Sequence, residues 1–210
     1  MNKWYNLLVS FFVLSCIGKH QSDAPKVIVN SATSHSLPTS QADTLIINIE
    51  KSTIKWTATE MRGTRKRTGT ISFKVGLFYY QDNKIIGGKF IVDMETIEVT
   101  DIPLHEIIAR RNLLNHLKSD EFFNVKHYPL STLEFTSVNQ TKNDSLKISA
   151  NLRIRDVTKN IEFLAYQKDG NFRTNFTFNR LDWNIAYKGS WMNKTLVDKD
   201  VELTLEIVKE

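Results

Sequence analysis

From about Leu45 onward, apolar and polar side chains alternate with a period of two along much of the chain. Ile54, Trp56 and Ala58 alternate with Lys55, Thr57 and Thr59. Ile71, Phe73 and Val75 alternate with Ser72 and Lys74, and Phe90, Val92 and Met94 with Ile91 and Asp93. The same texture recurs over Leu146 to Ile154, Phe172 to Phe178 and Val201 to Ile207. Such alternation predicts strands with one buried and one wet face. It points to antiparallel pairing, because strands buried on both faces are apolar throughout. Turn signals lie between the runs at Asp82-Asn83, Gly87-Gly88, Asn143-Asp144 and Asp169-Gly170-Asn171. The last predicts a tight hairpin, since these residues tolerate positive φ. No repeat of fixed period is visible.

One interval follows a different rhythm. Leu104, Ile107, Ile108, Arg111, Leu114 and Leu117 or Lys118 recur every three to four residues, which predicts an amphipathic helix. Pro103 fits its first turn, with Asp101 or Ile102 near the cap. The pattern predicts an all-β fold, an antiparallel β-barrel of about eight strands with one inserted α-helix, because closing a long sheet removes its exposed edges.

The first 43 residues are unlike the rest. Met1 to Ser15 carries one cation, Lys3, and a short apolar run from Leu7 to Leu14. This is the layout of a secretory signal peptide and is too short to span a bilayer. The tetrad Val13-Leu14-Ser15-Cys16 resembles the bacterial lipobox, which implies lipid on Cys16. Residues 17–43 are rich in Ser, Thr, Gln and Asn, with Pro25 and Pro38, and read as a flexible tether. The expected organisation is a signal peptide at 1–15, a lipidated cysteine and tether at 16–43, and a β-barrel domain at 44–210. The expected location is the cell envelope: exported, lipid-anchored and facing the periplasm.

Composition narrows the chemistry. Cys16 is the only cysteine, so the folded part has no disulfide and depends on its apolar core. The net charge is +5, or +4 once residues 1–15 and their single lysine are removed. That is mildly basic and far from the asymmetry of a nucleic-acid binder. Arg62, Arg65, Lys66 and Arg67 form one dense basic cluster without interleaved aromatics. It reads as a solvated hairpin tip or as a site of attraction to anionic headgroups. There is no Cys pair for zinc, no phosphate-binding glycine loop and no G-x-S-x-G element. His105, His116 and His127 are too widely spaced for a zincin pattern, so no metal or cofactor is expected. His116 and Asp120 are expected to fix the helix exit, and Asp93 and Asp101 to serve turns and caps.

A longer motif follows the helix. His116-Leu117-Lys118-Ser119-Asp120-Glu121-Phe122-Phe123-Asn124-Val125-Lys126-His127-Tyr128-Pro129 resembles the H-L-x-S-x-(D/E)-F-F-x-V-x-x-Y-P signature of the YceI-like family of lipocalin-like polyisoprenoid-binding proteins. Gly87 to Phe90 with Asp93 to Asp101, Leu133-Glu134-Phe135, Leu152 to Lys159, and Phe178 to Trp183 are similar to further elements of that family. The first hairpin departs from it. A basic Gly63 to Gly69 loop stands where relatives often carry Gly-x-His-x-Gly. The resemblance implies an extended barrel with a long apolar interior tunnel, an isoprenoid chain or similar amphiphile held there, and no catalytic residues.

Inward-pointing positions supply the candidate site. Trp56, Phe73, Phe90, Phe135, Phe163, Phe176 and Phe178 are its large rings, with Val92 in the same alternation as Phe90. Ala58, Ala150 and Ala165 leave room along the axis. Phe122 and Phe123 either cover a barrel end or latch the helix to it, and Trp183 closes the Phe178 to Trp183 element. The expected function is non-catalytic binding of a polyisoprenoid, isoprenoid quinone or fatty-acid-like amphiphile by a membrane-tethered carrier. The expected partners are that amphiphile and the membrane, without nucleic acid; a homodimer is compatible with the pattern. The alternative is a barrel filled by its own side chains and acting as an envelope interaction module.

Overall fold

Among the described residues, the alternating runs form ten strands and the three-to-four spacing one α-helix. They are β1 (Ile28–Ser31), β2 (Asp43–Ile46), β3 (Thr53–Glu60), β4 (Arg65–Gln81), β5 (Lys84–Val99), α1 (Ile107–Lys118), β6 (Leu130–Gln140), β7 (Ser145–Ile154), β8 (Val157–Lys168), β9 (Asn171–Asn179) and β10 (Val197–Ile207). This computed structural model describes residues 22–34, 42–141, 145–168, 170–185 and 197–210. The expected signal peptide, Cys16 and the Asn143-Asp144 turn lie outside the described residues.

Each strand from β3 to β9 pairs with the next, β9 pairs with β10, and β10 returns to β3. All these pairings are antiparallel, so eight strands close into a barrel. The apolar parity of each strand turns inward and forms one continuous core. At Asp82-Asn83 both residues have positive φ, 51° and 60°, between the paired Gln81 and Lys84. This is the primed two-residue turn whose twist suits a hairpin. Gly170 follows suit at φ 78° between Lys168 and Asn171.

Two expectations fail within the β4–β5 hairpin. The alternation puts Val75 in phase with Ile71 and Phe73, but the β4–β5 ladder slips between Phe73 and Val75. The extra residue moves Val75 outside and brings Phe78 in. Gly87-Gly88, expected to be a turn, lies within β5 beside a second slip between Tyr79 and Tyr80. A Cβ on Gly88 would stand 3.0 Å from Phe90 and 3.1 Å from Phe135, so hydrogen is the substituent that lets the rings approach. Asp93 does hold a turn: its Oδ1 accepts from Glu95 N–H at 3.1 Å within a further slip of β5.

Within the stretch expected as a tether, Lys26 and residues 28–31 instead pair with the barrel wall. Residues 28–31 pair with Lys159–Glu162 of β8, and Lys26 bridges Thr177 of β9. Val27 N–H donates to Thr177 O, and Thr177 N–H donates to Pro25 O. β8 and β9 pair directly only over Tyr166–Lys168 and Asn171–Arg173. The leading segment therefore fills the seam where they diverge, and the apolar Val27 and Val29 pack against the core. β2 likewise takes the part of β4 that β3 leaves, pairing Asp43–Ile46 with Leu77–Tyr80.

Helix α1 begins later than its apolar spacing suggests. Residues 102–106 form turns, and Asp101 serves the barrel rather than the helix. Its Oδ1 accepts from Thr68 N–H at 3.0 Å and its Oδ2 from Arg67 at 2.9 Å. The buried side of α1 carries Leu117, with Leu113 and Leu114 half-buried, whereas Leu104, Ile107 and Ile108 face outward. Among the described residues no helix is long and apolar enough to cross a membrane.

Candidate functional site

The barrel interior divides into two parts. At the end of the β4–β5 hairpin, aromatic rings fill the bore. Phe78 lies 5.2 Å from Phe172 and 6.2 Å from Phe135, and Phe135 lies 6.4 Å from Phe163, all between ring centroids. Each such pair adds about 0.5–1.5 kcal/mol beyond its buried area, so this plug is a rigid floor. Above it lies a cavity of about 150 Å³ with an almost entirely apolar lining. An engineered void of about that size in another protein stays dry and accepts a benzene ring.

Trp56, Ala58, Phe73, Phe90, Val92, Phe176 and Phe178 all line the cavity. Phe122 and Phe123 join it from the loop after α1, with their rings 5.1 Å apart and edge to face. They are thus both latch and lid, because the helix contributes Leu113, His116 and Leu117 beside them. Phe135 and Phe163 are in the aromatic floor instead and do not line the cavity. Trp183 is buried behind the barrel end, where its indole N–H donates to Leu152 O at 3.0 Å and its ring meets Phe178 edge-on at 5.2 Å. The expected long tunnel is therefore a short chamber closed by Phe78, Phe135, Phe163 and Phe172.

The structure adds residues that the sequence reading passed over. Ile54, Ile71, Met94, Ile97, Leu133, Leu152, Ile154, Val201, Leu203 and Leu205 complete the walls. More telling are Glu60, Arg67 and Arg180, which border the cavity at the end that carries α1. Their signal was present: Glu60 continues the parity of Trp56 and Ala58, Arg67 that of Ile71 and Phe73, and Arg180 that of Phe176 and Phe178. Charge alone suggested an outward position. Inward charges at a barrel end are stable when partners meet them.

Those partners are present. Arg67 bridges Asp101 at 2.9 Å and Glu60 at 3.4 Å. Burial works to lower the Arg67 pKa, but the Asp101 hydrogen bond and the two carboxylate charges outweigh it and raise the value. Of the basic cluster, Arg67 is thus structural, while Arg62, Arg65 and Lys66 remain exposed. Arg180 is 1% exposed and donates to the carbonyls of Ile185, Val197 and Asp198 at 2.7, 2.8 and 3.1 Å. Burial lowers its pKa, opposed by the charge of Asp198. His116 lies against Phe122, with ring centroids 5.4 Å apart, and its carbonyl accepts from Ser119 N–H and Oγ–H at the helix exit. Among the described residues, the buried indole N–H of Trp56 meets no acceptor. The chamber thus offers apolar walls, a sealed floor and a polar border at one end only.

Comparison with known proteins matches this architecture. The chain superposes on BcnA of Burkholderia cenocepacia with a TM-score of 0.60 at 13% identity, covering 77% of this chain and 98% of that one. A polyisoprenoid binding domain from Saccharophagus degradans, implicated in plant cell wall breakdown, gives 0.56 at 11% identity, covering 81% and 99%. The Campylobacter jejuni YCEI protein gives 0.50 at 19% identity, covering 86% and 91%. At these identities the likeness is one of fold. No curated protein matches the chain. The model of the YceI-like domain matches residues 46–209, which include every strand of the closed barrel, and the chain belongs to the YceI-like family.

Proposed function

We propose that this protein binds one end of a hydrophobic chain in the barrel chamber and carries or stores it within the bacterial envelope. The observation that carries this reading is the apolar chamber bordered by polar groups at one end alone. An amphiphile has the same polarity: an apolar tail for the walls, and a head left near Glu60, Arg67 and Arg180. The polyisoprenoid-binding description of the Saccharophagus degradans domain supports an isoprenoid tail. The N-terminal pattern that ends at Cys16 supports tethering to a membrane.

Energetics favour exchange over sequestration. Moving a CH₂ group from water into the chamber gains about 0.8 kcal/mol. A bilayer offers nearly the same environment, so the chain passes between membrane and protein at little cost. The present chamber takes about one ring or one isoprene-sized unit. A longer tail either leaves most of its length outside or moves the rings of the floor. Mass spectrometry of an organic extract from protein purified out of its native membrane tests the reading. A stoichiometric prenyl or acyl species supports it, and protein without lipid overturns it.

The floor also favours a second reading. Phe78, Phe135, Phe163 and Phe172 make one end of the barrel a solid core. A rigid interaction module needs no more than that. It becomes the better reading if titrated amphiphiles leave unchanged the part of the tryptophan fluorescence that Trp56→Phe removes.

A further inference from the structure

The surface around the polar end of the chamber combines two features that soluble faces rarely bring together. Leu104, in the turn before α1, and Ile107 and Ile108, at its start, are 78%, 66% and 68% exposed. Met61, at the tip of the β3–β4 hairpin, is 53% exposed. The two sites lie at one end of the barrel, because Arg67 and Thr68 of β4 are bonded to Asp101 just before the helix. Thr68 and Thr100 add a side-chain hydrogen bond of 3.1 Å. Exposed Arg62, Arg65 and Lys66 stand at the same tip, and Arg111 lies one turn beyond Ile107 and Ile108. Among the described residues no carboxylate forms an ion pair with any of these four cations. Some acids of this region are engaged, Glu60 and Asp101 by Arg67 and Glu98 by Arg110 at 2.8 Å. Glu106, Asp120, Glu121 and Asp156 are exposed at the same end, away from the hairpin tip that carries Arg62, Arg65 and Lys66.

We propose that this end docks onto an anionic phospholipid surface, with Leu104, Ile107, Ile108 and Met61 entering the interface and Arg62, Arg65, Lys66 and Arg111 meeting the headgroups. Large apolar side chains left exposed together at one end of a folded surface mark an interaction site. Cations around it select a negatively charged partner, and a bilayer accepts apolar residues without a shaped pocket. Docking in this pose places the polar border of the chamber at the headgroup level. The proposal is measured without any chamber ligand, so it and the carrier reading can fail separately.

The test uses the full chain with Cys16→Ser and one new cysteine, Ile107→Cys or Asp82→Cys, labelled with an environment-sensitive dye. The leader is common to all variants, so the readout is the orientation of the barrel and not its recruitment. With vesicles of equal phosphatidylglycerol and phosphatidylcholine, emission at position 107 should rise several-fold and shift to the blue. Emission at position 82, on the opposite hairpin, should not change. Adding Arg62→Glu, Arg65→Glu and Lys66→Glu should abolish the response, as should pure phosphatidylcholine. A water-like signal at position 107 on anionic vesicles overturns the proposal. So does a blue-shifted signal without vesicles in a protein that sediments as a dimer, which would assign the patch to a second copy.

Discussion

The guanidinium carbon of Arg180 stands 5.8 Å over the ring of Phe122. The same group is bonded to the carbonyls of Ile185 on one side and of Val197 and Asp198 on the other. One buried cation thus joins the end of β9, the start of β10 and the loop after α1. Arg180→Met should destabilise the fold by about 3 kcal/mol, because it strands buried carbonyls. Arg180→Lys should lose about 2 kcal/mol, since an ammonium on a shorter, non-planar head cannot serve all three acceptors. Urea denaturation with the slope held constant distinguishes the two.

Removing a ring from the floor should lengthen the chamber. Phe135 lies 5.5 Å from Phe90, between floor and cavity. Phe135→Ala should cost about 3–5 kcal/mol. If the fold holds, the variant should bind longer fatty-acid or prenyl chains than the parent in a chain-length series measured by displacement of a fluorescent fatty acid.

Gly69 faces Trp56 directly across the β3–β4 ladder. A Cβ there would sit 1.8 Å from Glu98 O and 2.4 Å from the indole ring. Gly69→Ala should therefore push β5 and the indole apart and cost about 3 kcal/mol or more. Thermal unfolding reads the loss, and a shift of the tryptophan emission reads the displaced ring.

Burial raises the pKa of the Tyr80 phenol, against a lowering by the hydrogen bond from Gln167 at 3.3 Å. Its folded pKa is thus above its unfolded value. The contribution of Tyr80 is complete below pH about 10 and is lost as pH rises through the folded value, because the unfolded chain gives up the proton first. Between pH about 9 and about 11, Tyr80→Phe should lose less stability than the parent in paired urea titrations.

The barrel was legible because period-two alternation is a direct image of inside and outside. It failed where a bulge changed the parity, at Val75, which no local composition marks. The helix shows a different limit. Leu104, Ile107 and Ile108 belong to a true apolar stripe, but a stripe does not name what it packs against, and here it points away from the barrel. In the site, the rings were found by size and parity. Phe135 and Phe163 were assigned to the chamber because sequence gives the side of a strand and not the height along the axis. Arg180 was missed because its charge hid a parity that placed it inside.

The seam between β8 and β9 gives the barrel a mechanical direction. A pull on the chain before Ser22 loads the Thr177 bonds and the ladder of Ile28–Ser31 with Lys159–Glu162 of β8 before any ladder between two strands of the closed ring. Behind that ladder, β8 and β9 hold each other only at one end, over Tyr166–Lys168. Tension on the leading segment would therefore unzip the wall from the side, along a line set by a few hydrogen bonds, while the other strand pairs stay unloaded.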